Sequence, residues 1–461
     1  MSALEQPLPR KTVATYALGS MGTGGFATLP GLVLIYYMTD TLGIAAIAAG
    51  LLVTLAKVWD VLIDPVIGAR SDHDLASTGS RKRFMVLGGM LLPVFFLLTF
   101  AVPTAIGPVA ASIWVLIAFT ATATAFSLFQ VPYIALPAEL TEGYDQRTRL
   151  LSIRVLVLSV AILVFGAGGP ALRSLGGENK WLGYFLMALA CGVLIGVSML
   201  LAARVAPRQN TRHSNIGSIM ENYSNGFATL KRSQPFRALL LTFALQGLAT
   251  GGMLAGAQYV ATWILRDEAA VIFLFVALIG PALLFVPIWR MLAKRLGKEK
   301  AFNYSSILFG IAAITLSFML IAPGNWIYFP VALAGAGYAG MQSLPMSMLP
   351  DVISHDAGTH GDGQAGIFGG VWTAGETTGM ALGATVLTLM LWASGYVESV
   401  AGQTVTQQSS AINGIIMSFS IVPAVIIALS LLSFRRYPLR EDDISHGAPR
   451  TAPTATEGNQ P

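Results

Sequence analysis

The chain is poor in charge. Asp, Glu, Lys and Arg make up 11% of its 461 residues, where a soluble domain carries about 25%. That deficit argues against a soluble enzyme or scaffold. The net charge is +5, and the basic residues are spread through short loops rather than gathered into a patch, so no nucleic-acid partner is expected. Cysteine is almost absent: Cys191 stands alone, which excludes an intrachain disulfide. The five histidines are scattered. No metal-ligand cluster, nucleotide-binding loop or hydrolytic constellation stands out, so neither an enzyme nor a cofactor is expected. The short polar N-terminus runs into an apolar segment that is too long, and too poor in cleavage signals, for a cleavable signal peptide.

What the chain has is apolar length. It is 54% hydrophobic and contains 48 glycines. A membrane-crossing helix needs about 20 apolar residues. Twelve segments qualify, near 13–37, 44–68, 84–103, 108–135, 151–171, 181–204, 237–264, 268–292, 301–322, 325–349, 364–394 and 412–434. Glycine-rich stretches at 22–25, 251–252 and 335–340 read better as close helix contacts than as cavity wall. Alternate loops carry most of the basic residues. Arg10, Lys11, Arg70, Arg81, Lys82, Arg83, Arg147, Arg149, Arg154, the basic residues of 204–237 and of 290–300, Arg435, Arg436 and Arg440 fall on one side. Arg173, Lys180 and Arg266 fall on the other. The positive-inside rule then places both termini in the cytoplasm.

The chain reads as two halves. Tyr37 and Tyr259 share an offset with Pro65 and Pro287. Pro132 and Pro345 share a slightly shorter one with Pro137 and Pro350. This suggests a duplication with one indel. The expected division is a six-helix half over 1–204, a cytoplasmic loop over 205–236, a second six-helix half over 237–434 and a disordered cytoplasmic tail over 435–461. Two pseudo-symmetric six-helix halves around a central cavity are the major facilitator architecture. The fold class is therefore all-α, membrane-embedded, with twelve transmembrane helices.

Within the second apolar segment stands KVWDVLIDP, residues 57–65. A charge in hydrocarbon costs several kcal/mol unless it is paired or hydrated. Lys57, Asp60 and Asp64 share one helix face, and one lysine cannot neutralise two aspartates. Paired carboxylates suit Na⁺, which takes oxygen ligands. They equally suit H⁺, because each raises the other's pKa. The plainer reading is a trio that pins helix packing. Glu376 lies mid-span in GGVWTAGETTGMALG. It reads as a coupling group, a solute contact or a cation's partner, or else as a protonated acid bonded to Thr373 or Thr377. Gln130, Gln246, Gln258 and Gln342 fit solute hydrogen bonds and interhelical ones equally. Trp59 and Trp372 are candidate cavity aromatics. At the end of the fourth segment, Glu139, Asp145, Arg147, Arg149 and Arg154 could pair across the halves as a cytoplasmic gate, with Asp351 as the counterpart of Glu139. The alternative is a solvated loop.

WDVLIDPVIGARSD followed by GSRKRF, and PYIALPAELTEGYDQRTRLLSIR, resemble signatures of the glycoside–pentoside–hexuronide:cation symporters, a branch of the major facilitator superfamily. PFRALLLTFALQGLATGG and LPDVISHDAGTHGDGQAGIFGGVWTAGETTGMALG are similar more loosely. The likeness covers nearly the whole chain except the tail. It implies that Asp60 and Asp64 match the family's cation-site aspartates and that Ser127 stands at a threonine ligand. It also implies that Lys57 and Arg154 match basic residues near the cavity. There are departures. Ile63 replaces a cation-site asparagine. Gln130, and Gly25 or a neighbour, replace sugar-binding aspartates. Ile134 and Gln342 replace two tryptophans, and Glu376 stands where many members carry lysine. The resemblance implies symport of a small organic solute, a glycoside or other carbohydrate, with Na⁺ or H⁺, by a monomer in a bacterial inner membrane. The thinned sugar ligands favour, as a rival, an amphipathic, lipid-like or xenobiotic solute, carried in or out. A non-transporting receptor is the rival from another class.

Overall fold

The computed structural model describes residues 8–103, 105–141, 144–207, 230–360, 365–403 and 405–439. Most of the central loop, and the tail beyond residue 439, lie outside the described residues. The described α-helices are α1 (Arg10–Asp40), α2 (Ala46–Thr78), α3 (Lys82–Phe100), α4 (Gly107–Leu140), α5 (Tyr144–Ser174), α6 (Lys180–Ala203), α7 (Gln234–Tyr259), α8 (Ala270–Leu296), α9 (Lys298–Thr315), α10 (Tyr328–His360), α11 (Ala365–Ala393), α12 (Ser409–Phe419) and α13 (Ile421–Phe434). Among the described residues, ten helical spans are long and apolar enough to cross a membrane, with α12 and α13 counting as one. Helices α10 and α11, of 33 and 29 residues, are also long, and each of the twelve apolar segments overlaps a helix. Pro423 explains the break at Ser420: it lacks the N–H that would bond the Phe419 carbonyl.

Several helices outrun their apolar segments. α2 continues to Thr78 and stops where Gly79 takes a left-handed φ of 76°. Its extra turns hold Asp72 and Asp74, which pair with Arg81 and Arg83 at the start of α3. Polar ends of this kind carry no hydropathy signal, so apolar length alone stops short of them.

The helices pack in one pattern used twice. α1 lies on α5 and α6, α2 on α4, and α3 on α4 and α6. In the second set α7 lies on α11 and α13, α8 on α10, and α9 on α10 and α13. Between the sets, α2 meets α11, α5 meets α8, and α1 meets α7. Glycine makes these approaches close. A Cβ at Gly251 of α7 would overlap the Met380 carbonyl of α11, and one at Gly335 of α10 would overlap the Leu278 carbonyl of α8. The glycine stretches are therefore helix contacts.

The ends of α1 and α7, and the connections around 174–180, 264–270 and 394–401, gather at the end of the bundle opposite Arg10 and Phe434. A buried apolar cluster that includes this end runs through both sets of helices. Tyr259 is part of it and hydrogen-bonds Thr39 across the sets at 2.6 Å. A five-residue π-helical turn, Val260–Ile264, follows Tyr259. Within that turn, Trp263 donates to the Tyr396 hydroxyl at 2.9 Å.

Candidate cation and solute site

The middle of α2 carries the charged face. Asp60 is buried, and one of its oxygens accepts from Lys57 at 2.9 Å. Its other oxygen, Oδ1, and Oδ1 of Asp64 are buried without a hydrogen-bond partner among the described residues. The Ser127 side chain on α4 stands against the Asp64 carboxylate. The Lys57 ammonium also lies 5.5 Å from the centre of the Phe26 ring, and Phe26 stacks on Phe126 at 4.4 Å. Thus α1, α2 and α4 bring two carboxylates, a hydroxyl, one ammonium and an aromatic face together. Buried carboxylate oxygens normally find partners; two left bare beside a hydroxyl make a donor set suited to a small cation. Spacing points to the trio, and the family resemblance points to Ser127. Neither gives a sign of Phe26, because an aromatic in an apolar helix looks like any other.

The other residues expected in the cavity fall in several places. Gln130 accepts from Thr23 of α1 at 2.7 Å, so its carbonyl is engaged between helices. Arg154 lies over the Tyr133 ring at 5.2 Å, and Tyr133 stacks on Tyr16 at 4.7 Å. Gln342 and Glu376 both neighbour Tyr338, a residue that sequence reading misses. Trp372 is 2% exposed and stacks on Phe243 at 4.5 Å, inside the core of the second helix set. Trp59 is exposed and donates to Thr124 at 2.8 Å. A Cβ added at Gly25 would stand within 3 Å of Phe165 and Ile195, so a side chain there would meet packed neighbours rather than open space. Gln246 makes interhelical bonds to Ser306 and Ser430.

The gate expected at the terminal end takes another form. Glu139 accepts from Arg81, and Asp351 accepts from Lys298. Each of these pairs joins the start of one helix to the end of the next within its own set, α3 to α4 and α9 to α10. They are symmetric counterparts, as the duplication predicts, but neither pair crosses between the sets. The Asp145 and Arg147 side chains lie outside the described residues.

Charged contacts that do cross occur at the far end. Tyr396 donates to buried Asp40 at 2.6 Å. Glu268 pairs with Lys180 at 3.1 Å and with Arg173 at 3.8 Å. Ser399 and Ala401 donate backbone N–H groups to Thr39 and Thr41, and Glu398 accepts from the Ala46 backbone at 2.7 Å. Burial, and then the Asp40 charge, push the Tyr396 phenol well above its ordinary range, so it remains a donor. This closure leaves no apolar-period signal, since loop residues distant in sequence build it.

Comparison with known proteins follows this geometry. The family model described as MFS/sugar transport protein matches residues 15–441. The glucuronide carrier protein homolog of Escherichia coli (strain K12) is 23% identical, over 95% of this chain and 94% of that protein. The human sodium-dependent lysophosphatidylcholine symporter 1 is 26% identical, over 86% of this chain and 77% of its own length. Further bacterial relatives are named symporters. Among solved structures, a D-xylose-proton symporter superposes with a TM-score of 0.68 at 13% identity, covering 93% of this chain and 98% of its own; that likeness concerns the fold. With ten apolar spans, twofold helix packing and a family match over nearly its whole length, the chain belongs to the MFS/sugar transport protein family and is a multi-pass membrane transporter of the major facilitator fold.

Proposed function

We propose that the protein couples movement of a small organic solute to a cation, Na⁺ or H⁺, bound at Asp60 and Asp64. The observation that carries this reading is the pair of carboxylate oxygens on α2 that are buried and unpartnered among the described residues, beside Ser127 and with Lys57 as the ion-pair partner that Asp60 has there. One bare buried oxygen also occurs at Asp74, in its ion pair with Arg83; at Asp60 and Asp64 two such oxygens share one helix face beside Ser127. A coupling site needs oxygens that a mobile cation completes. The names of the relatives support symport, and the family description supports a carbohydrate solute.

The solute is placed between the two helix sets, near Gln130, Arg154, Gln342 and Glu376, with Lys57 at its edge. Closure at the far end supports a conformation open toward the end that holds both described chain ends, which the positive-inside rule assigns to the cytoplasm. On this reading twelve helices cross the membrane, in halves of 1–204 and 237–434. The working unit is a monomer in a bacterial inner membrane.

The test is uptake into proteoliposomes of radiolabelled glycosides under an imposed Na⁺ or H⁺ gradient. The proposal expects accumulation that collapses when the gradient is removed and that Asp60→Asn and Asp64→Asn abolish. Accumulation that both variants retain would remove the coupling assignment.

A further inference from the structure

A cavity of about 500 Å³ lies between α8, α9, α10 and the stretch that follows α13, at the terminal end of the second helix set. That volume falls in the range of small-ligand sites, and the cation site has no part in it. Arg290 and Lys294 line it from α8, one turn apart on one helix face. Both are exposed, and among the described residues no hydrogen bond or ion pair reaches either side chain. The other charges on the wall are Lys298 and Glu299 of α9 and Asp351 of α10. Asp351 accepts from Lys298 at 2.5 Å, which leaves Glu299 to offset two cations. Val286 and Leu344 give the cavity an apolar side.

The chain passes this cavity as it leaves the helices. Tyr437 forms part of the wall, and Tyr437 and Leu439 belong to the same buried apolar cluster as Leu344. Leu439 is the last described residue of the chain. Arg440, Glu441, Asp442, Asp443 and Ile444 come next in the sequence.

We propose that the acidic run at residues 441–443 docks in this cavity, against Arg290 and Lys294. The reading stands apart from the symport assignment. Three carboxylates, less the charge of Arg440, complement two cations that are short of partners. An extended chain advances about 3.3–3.6 Å per residue, so a run starting four residues beyond Tyr437 reaches across a cavity of this size. So short a tether holds the acids at an effective concentration on the order of millimolar, where exposed ion pairs that are weak singly suffice together. Ile444 suits the apolar side at Val286 and Leu344. An anionic lipid headgroup is the rival occupant, since basic pockets on the cytoplasmic side bind such groups. The chain's own acids are favoured because Tyr437, on the same short stretch, already forms part of the wall.

The experiment uses the purified full-length protein in neutral detergent, with Cys191→Ser, Ser347→Cys on the cavity wall and Ser445→Cys just past the acids. Disulfide formation under mild oxidation is read as loss of maleimide labelling. The pair should close, and about 1 M NaCl, which shortens the Debye length to about 3 Å, should slow it. Arg290→Glu with Lys294→Glu should slow closure about tenfold, the scale of two exposed ion pairs. Glu441→Lys, Asp442→Lys and Asp443→Lys together should slow it equally, and they lie beyond the described helices. Combining both sets should restore the original rate, which also shows that the reversed protein is folded. No closure in the starting pair overturns the proposal. So does a rate indifferent to either reversal, or one that the combined variant fails to restore. A rate that responds to Arg290 and Lys294 but not to the tail acids, and that falls on adding phosphatidylglycerol, assigns the cavity to an anionic lipid headgroup and also overturns it.

Discussion

The phenol of Tyr396 donates to the carboxylate of Asp40, 2.6 Å away, and so ties the end of α1 to the connection after α11. The same carboxylate accepts from Thr39, whose hydroxyl also meets Tyr259. Side chains from three separate stretches thus meet around one buried acid. A hydrogen bond to a charged group contributes about 1.5–3 kcal/mol. Tyr396→Phe should therefore weaken far-end closure by that order and populate the conformation open on that side. A cysteine placed at Ser399 should react faster with a membrane-impermeant thiol reagent in the Tyr396→Phe background, with Cys191 replaced beforehand. An unchanged labelling rate would mean that the contact does not hold the closed state.

The two ion pairs at the terminal end should differ in weight. Arg81 and Glu139 are both nearly buried, with side chains 11% and 10% exposed, whereas Lys298 is 41% exposed opposite Asp351. Removing Glu139 leaves Arg81 with Asp72, so the loss falls below the roughly 3–5 kcal/mol of an uncompensated buried charge, while an exposed pair contributes about 0–1 kcal/mol. Glu139→Ala should lower the melting temperature in detergent clearly more than Asp351→Ala. Equal losses would show that the two pairs, though symmetric in position, are not graded by burial.

Close helix approach makes a separate prediction. Gly335→Val places a branched side chain against the Leu278 backbone, and Gly251→Val does the same at Met380. Overpacking typically costs about 1–3 kcal/mol. Gly168 has open space at its Cβ position, so Gly168→Ala should be tolerated. Thermal unfolding of the three variants checks the order, and a tolerated Gly335→Val would show that α8 and α10 can separate cheaply.

How far sequence reading reaches follows from what each feature leaves in composition. The apolar segments are visible because hydrocarbon demands them, and glycine at 251 and 335 marks close packing. Asp60 and Asp64 are visible because carboxylates are rare in such a run. Helix ends are harder to read, since Asp72 and Asp74 extend α2 through ion pairs rather than hydropathy. Trp372 reads from sequence only as a candidate cavity aromatic. Its stacking on Phe243 is a long-range contact that no local pattern encodes. The far-end closure is hidden for the same reason: Asp40, Glu268 and Tyr396 meet only once the helices are assembled. Glu139 and Asp351 are legible as counterparts, but the basic partner of each comes from its own half.

The central claim is that α2 carries the coupling cation, and calorimetric titration of Na⁺ into the purified protein at two pH values tests it most directly. Asp60→Asn and Asp64→Asn are titrated beside the wild type. A cation site at these carboxylates predicts saturable Na⁺ binding lost in both variants, or, for a proton-coupled carrier, no Na⁺ heat but solute-linked proton release that both variants abolish. Na⁺ binding or proton release that persists in both variants would contradict the account and leave Lys57, Asp60 and Asp64 as a packing element of α2.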